Sequence, residues 1–141
     1  MSVKRFIDTN VFVYALDPVQ SERKGKTARK LIREAIGQRH GVVSYQVIQE
    51  LACVALRKFR VPVTAKDLGD FIDASFRRMT TLHSSLELFH EALAVQTGYR
   101  LSWYDALIVA AAIESGCGIL CSEDLQDGAK FGSVRVENPF R

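Results

Sequence analysis

The stretch Val3-Lys4-Arg5-Phe6-Ile7-Asp8-Thr9-Asn10-Val11-Phe12-Val13 decides the fold. A short apolar run ends in an acid, a hydroxyl and an amide, and a second apolar run follows at once. Phe6 and Ile7 read as the end of a buried strand, and Asp8-Thr9-Asn10 as the turn where strand gives way to helix. In an open parallel sheet, ligand sites lie beyond the carboxyl ends of the strands. Asp8 therefore falls at the functional edge of whatever sheet this strand begins.

Outward from that stretch, strands and helices alternate. After a helical turn, Asp17-Pro18 breaks the chain. Ser21 caps a helix predicted to run to about Arg39, with Ala28, Leu31, Ile32 and Ala35 as its apolar stripe. Arg23, Lys26, Lys30 and Arg33 fall on another face, which is either a solvated surface or a stripe that tracks phosphates. A short strand at 41–44 ends in Ser44 as an N-cap. The helix after it carries Val47, Ile48, Leu51 and Val54, interrupted by Glu50, and Pro62 prevents its continuation. Thr64 opens the next helix, and Thr80-Thr81-Leu82 reads as a strand. Ser84 and Glu87 form a capping box for a helix through Val95 that closes near Gly98. Ser102 caps a helix over 103–115, with Gly116 as its stop. A buried strand at 118–121 ends in Ser122-Glu123-Asp124, and Val134-Arg135-Val136 is a last weak strand. This alternation predicts the α/β class: one three-layer α/β/α domain over 1–141, with a short, mostly parallel central sheet.

Composition excludes several classes. Of 141 residues, 48% are hydrophobic and 25% charged, a globular balance rather than a disordered one. The apolar run at 106–113 is far too short to span a bilayer, and Asp8 interrupts any signal-peptide core, so the reading is cytoplasmic with no membrane role. Cys53, Cys117 and Cys121 show no zinc spacing and suit reduced, buried thiols. The net charge of +3 is compatible with a polyanionic partner.

Four acids carry the chemistry. Asp8 and Asp124 end buried strands, while Glu50 and Asp105 lie in the first two turns of helices that begin at the same sheet edge. Each has a plainer reading. Asp8 can cap a helix, Asp105 can complete the capping box of Ser102, and Asp124 can begin a turn. Glu50 is harder to dismiss, because a carboxylate amid Val47, Ile48, Leu51 and Val54 needs a partner. Right-handed crossovers bring all four to one rim. At roughly 5 Å and an effective dielectric of about 20, each close pair repels by on the order of 3 kcal/mol. Proton uptake or a bound cation relieves that repulsion. Oxygen ligands without Cys or His favour Mg²⁺ or Mn²⁺ over zinc. Thr9, Asn10, Ser44 and Ser122 add neutral groups that can orient the carboxylates or a phosphate; the plainer reading of each is a cap or a turn. Trp103 and Tyr104 can stack a base, though aromatics at a helix start more often belong to a core or a dimer interface.

The segments Phe6-Ile7-Asp8-Thr9-Asn10, Glu50 in the helix after a short strand, 102–112 (Ser-Trp-Tyr-Asp-Ala-Leu-Ile-Val-Ala-Ala-Ala) and Leu120-Cys121-Ser122-Glu123-Asp124 together resemble a PIN domain, and more narrowly the VapC-type toxins of toxin–antitoxin pairs. The resemblance spans the chain. It implies a metal-dependent ribonuclease with Asp8, Glu50, Asp105 and Asp124 as the acidic site, the metal being assigned to Asp8, Asp105 and Asp124. It also implies an RNA substrate, a homodimer, and an antitoxin whose tail enters the site. One departure is the last acidic loop, which lacks an aromatic after the acid. Asp124 is taken as its ligand, Asp127 as an accessory, and Glu123 as solvent-facing. Alternatives are an RNA-processing nuclease that is not a toxin, or a non-catalytic module that binds metal or a partner. An aspartyl-phosphate phosphatase fits less well, since Asn10 stands where a second Asp is wanted.

Overall fold

The computed structural model describes residues 3–17 and 19–141. Six strands form one sheet: β1 (Arg5–Ile7), β2 (Gly41–Ser44), β3 (Thr80–Leu82), β4 (Ile119–Cys121), β5 (Lys130–Phe131) and β6 (Val134–Glu137), in the order β3-β2-β1-β4-β6-β5. All neighbours are parallel except β5 and β6. β1 lies at the centre, with β2 on one side and β4 on the other, so the order of connection reverses there. A crevice opens at the carboxyl ends of strands at such a switch point. Asp8, Ser44 and Ser122, each at or just past the end of a strand, lie along that rim.

The helices are α1 (Thr9–Leu16), α2 (Glu22–Gly37), α3 (Tyr45–Arg57), α4 (Ala65–Phe76), α5 (Leu86–Tyr99) and α6 (Trp103–Glu114). They flank the sheet and bury its apolar residues. Phe6, Ile7, Val11, Phe12, Val43, Val47, Leu51 and Leu120 are fully enclosed. The Phe12 and Phe76 rings meet at 4.7 Å between α1 and α4. In α6 the seven residues Ala106 to Ala112 are all buried, as for a helix packed on every side. Ser21 and Ser102 cap as their positions predict, accepting from Lys24 N–H and Asp105 N–H. Gly116 stops α6 at φ +71°. Among the described residues no helix is long and apolar enough to cross a membrane.

Some boundaries differ from the sequence reading. Ser85, not Ser84, caps α5 and accepts from Leu88 N–H, because burial of Leu88, Ala92 and Val95 sets the phase of the helix. That helix runs past Gly98 and turns at Arg100 (φ 57°), held by the Tyr99 ring edge-on to Phe131 at 4.8 Å. β5 is an addition, a two-residue strand returned through Gly132 (φ +60°). Cys53 is exposed rather than buried, on the outer face of α3. Pro18 lies outside the described residues.

Truncating Phe12 to Ala should cost about 3–5 kcal/mol of unfolding free energy, since its ring is wholly enclosed between α1 and α4. Urea denaturation checks this, through a lower midpoint at an unchanged slope.

Candidate active site at the carboxyl rim of the sheet

Asp8 is the first residue beyond β1. Its backbone N–H continues the ladder by donating to Cys121 O at 3.0 Å, which seats the side chain at the edge between β1 and β4. Only 5% of the residue is exposed. One carboxylate oxygen accepts from Thr9 N–H at 2.7 Å, so Asp8 does cap α1. The other accepts from the Ser122 hydroxyl at 2.7 Å. Ser122 in turn accepts from Asp124 N–H at 3.1 Å, and this one hydroxyl ties the strand end of β1 to the loop after β4.

Glu50 and Asp124 lie beside this pair, and Asp105 lies beside Glu50. Glu50, in the second turn of α3, accepts from the Thr9 hydroxyl at 3.0 Å and from the Gln46 amide at 3.4 Å. Asp124 accepts from the Asn10 amide at 3.0 Å. Asp105 is half-buried in the first turn of α6. Thr9, Asn10 and Ser122 thus each hold one carboxylate. Ser44 stands at the N-cap position of α3, but its hydroxyl makes no cap bond there and is buried without a partner.

Electrostatics follow from burial and like charge. The Asp8 carboxyl is pushed up to about 7, first by desolvation and then by the negative charges of Asp124 and Glu50; the bonds from Ser122 and Thr9 pull the other way. Glu50 is also raised, again chiefly by desolvation, with Asp105 and Asp124 adding repulsion. Each of the four carboxylates therefore acts on at least one of the others across the rim.

The donor set suits a hard divalent cation: four carboxylates, with no Cys or His among them. A second feature agrees. Asn10 Oδ1 is buried with no donor facing it, an unused acceptor oxygen beside the acids. The side chains are not preset as ligands, however. Among the described residues, no three acidic, His or Cys groups are arranged to close on an ion. Asp124 is exposed and Asp105 half-buried, whereas Asp8 is fixed on both oxygens.

Three expectations are corrected. Glu123 does not face solvent: it accepts from the Tyr14 hydroxyl at 2.5 Å and from Lys24 Nζ at 2.8 Å. Asp127 is turned to the C-terminal segment, accepting from Asn138 N–H at 2.8 Å and pairing with Arg141. Of the two readings of Trp103 and Tyr104, core or dimer interface, the core falls, since they stand 36% and 64% exposed; exposure leaves the interface reading as it was. Sequence reasoning missed Tyr14, Lys24 and Gln46. Tyr14 had one signal, its place four residues after Asn10 on α1: Asn10 reaches Asp124 and Tyr14 reaches Glu123, so two turns of one helix face grip adjacent loop acids. Lys24 also lies over the Tyr14 ring at 4.8 Å, and nothing local in the sequence marks that contact.

A family profile described as the PIN domain matches residues 5–127. Solved structures share the fold at low identity. VapC20 of Mycobacterium tuberculosis, described as a sarcin-ricin loop cleaving toxin, is 17% identical with a TM-score of 0.71 over 94% of this chain and 99% of its own. FitAcB from Neisseria gonorrhoeae is 17% identical with a TM-score of 0.60 over 96% and 98%. PAE2754 from Pyrobaculum aerophilum is 16% identical with a TM-score of 0.65 over 96% and 83%. A comparison with curated proteins finds no match.

The Asp8 environment fixes a pH dependence. In the folded chain its carboxyl holds a proton up to about pH 7, against an ordinary value of 3.8. Between those values the folded form binds more protons than the unfolded form, so stability falls as pH rises. The full span is on the order of 4 kcal/mol. In EDTA, Asp8→Asn should flatten this decline and raise the melting temperature at mildly alkaline pH, as read by thermal denaturation across the pH range.

Proposed function

Because the chain belongs to the PIN-domain family, a family of nucleases, we propose that it is a metal-dependent endoribonuclease, with Asp8, Glu50, Asp105 and Asp124 as its working groups, and that it serves as the toxin of a toxin–antitoxin pair. The observation that carries this reading is the gathering of four carboxylates at the switch point of the sheet, around a buried Asp8 that desolvation first, and the charges of Asp124 and Glu50 after it, hold up to about 7. The cap on α1 and the tie to Ser122 account for Asp8 alone; they do not account for Glu50, Asp105 and Asp124 gathering at the same rim, which points to a charge that the site is built to receive. The toxin role draws on the shared fold with VapC20, itself described as a toxin.

Asp8, Asp105 and Asp124 would hold a magnesium or manganese ion, which when bound neutralises charge on the phosphate and makes water a better nucleophile. The protein's own groups do the rest. Ser122 and Thr9 N–H fix both oxygens of Asp8, so one side of the site does not move. Asn10 holds Asp124 through its amide and offers its free carbonyl oxygen to the same space. Glu50 has a raised proton affinity and hydroxyl and amide donors on one oxygen, which suits it to take the proton of the attacking water. Attack at phosphorus then leaves a 5′-phosphate and a 3′-hydroxyl. The Tyr14–Lys24–Glu123 cluster holds the loop that carries Asp124 against α1 and α2. An antitoxin tail bearing cations would compete for the same carboxylates, and a second copy of the chain is its expected partner in the free toxin.

Purified protein with Mg²⁺ should cut single-stranded RNA internally, with 5′-phosphate at the new ends. Asp8→Asn should abolish cleavage while the protein stays folded, and Glu50→Gln should lower kcat by about 10²–10⁴. Undiminished cleavage by pure Asp8→Asn protein would contradict the assignment. In a bacterial host, induction should arrest growth with the wild-type chain and not with Asp8→Asn.

A further inference from the structure

Beside the acids lies a cleft of about 330 Å³ between α3, α5 and α6. Its mouth is aromatic. Trp103 and Tyr104 open α6, and Phe89 faces Trp103 from α5, with ring centroids 6.2 Å apart and planes inclined at 47°. All three rings are at least 36% exposed, an arrangement that core packing does not account for. Ser44, Gln49 and Ser84 supply hydroxyls and an amide on the walls, and among the described residues no charged side chain lines the cleft. The Ser44 hydroxyl is left unspent by α3.

The cleft shares a wall with the acidic site. The Gln46 amide donates both to Glu50 and to the Tyr104 carbonyl, and Asp105 follows Tyr104 directly in the chain. A ligand here is thus neutral, flat and polar at its edge, and it lies next to the group that would be cut. A phosphate or a basic peptide would find no opposite charge. A nucleobase fits on every count, since an unstacked base presents a π-face to aromatic rings and hydrogen-bonding edges to hydroxyls and amides.

We propose that this cleft receives one unstacked nucleobase of the RNA beside the scissile phosphate, and that it sets the sequence preference of cleavage. The proposal rests on the ribonuclease reading for its substrate. Trp103 is a specificity residue in it, not a catalytic one. Leu86 and Leu93, 73% and 50% exposed, share one stripe of α5 with Phe89, so a second copy of the chain is the competing occupant that the experiment separates from a base.

Trp103 is the single tryptophan of the chain, so its emission reports on the cleft directly. The wild-type protein in EDTA, which needs neither metal nor turnover, is titrated with adenosine, guanosine, cytidine and uridine, with N-acetyltryptophanamide and free ribose as controls. The expected result is saturable quenching by at least one nucleoside, several-fold beyond the controls. In parallel, cleavage sites are mapped on RNA with a randomised window. Trp103→Ala should raise KM about tenfold with kcat nearly unchanged, the loss of one stacked base, and should flatten the preference at one position flanking the cut. Four nucleosides that quench no more than the controls, or an unchanged cleavage pattern in Trp103→Ala, would overturn the proposal. So would emission that shifts with protein concentration and not with nucleoside, which would assign the cleft to a second copy. Quenching without cleavage of any RNA would sink the nuclease reading and leave the base-binding cleft standing.

Discussion

The structure turns on one buried carboxylate. Asp8 is enclosed at the end of the central strand, and both its oxygens are occupied, by Thr9 N–H and by the Ser122 hydroxyl. That fixity comes from the sheet itself, because the ladder bond from Asp8 N–H to Cys121 O continues the pairing of β1 with β4. The position cannot relax away from the negative charges of Asp124 and Glu50, and burial raises the cost of its own charge. An acid held on both oxygens and ringed by more exposed acids is suited to hold a fixed point at which a ligand is received.

The support for the ring is graded. Asp8 is held by backbone and by a buried hydroxyl. Glu50 is held by Thr9 and Gln46, and Asp124 by the Asn10 amide in an exposed contact. Behind Asp124, Glu123 is clamped by Tyr14 and Lys24 with side chains about one-quarter exposed, so this ion pair is better shielded than the exposed helical pairs such as Lys66–Asp70. The chain therefore invests its better-sheltered polar contacts in the loop after β4. The exposed ion pairs on α2 and α4 contribute little by comparison.

The order of elements was legible in the sequence because each is marked by local chemistry. Ser21, Ser102 and Gly116 delimit helices by capping and by φ, and Phe6-Ile7 and Leu120-Cys121 mark buried strands by unbroken apolar runs. The convergence of the acids was legible too, since parallel topology puts strand ends and the following helix starts on one rim. What escaped depends on contacts between distant segments. The choice of Ser85 over Ser84 is made by helix phase against the core, and the extension of α5 to Tyr99 by a ring contact with Phe131. Glu123 and Asp127 are acids of the same loop, yet one meets Lys24 and the other Arg141, and nothing in their spacing says which. Nor could spacing say that the carboxylates would stand near one another without forming a ready-made ligand group.

That last point makes ion binding the direct test of the account. Free Mn²⁺ in solution gives a sharp electron paramagnetic resonance spectrum that vanishes on binding. Titrating Mn²⁺ against the wild-type chain and the Asp8→Asn variant near neutral pH should show saturable loss of the free signal in the first and much weaker loss in the second. A free-ion signal that the wild-type protein leaves undiminished would contradict the claim that these acids form a metal site.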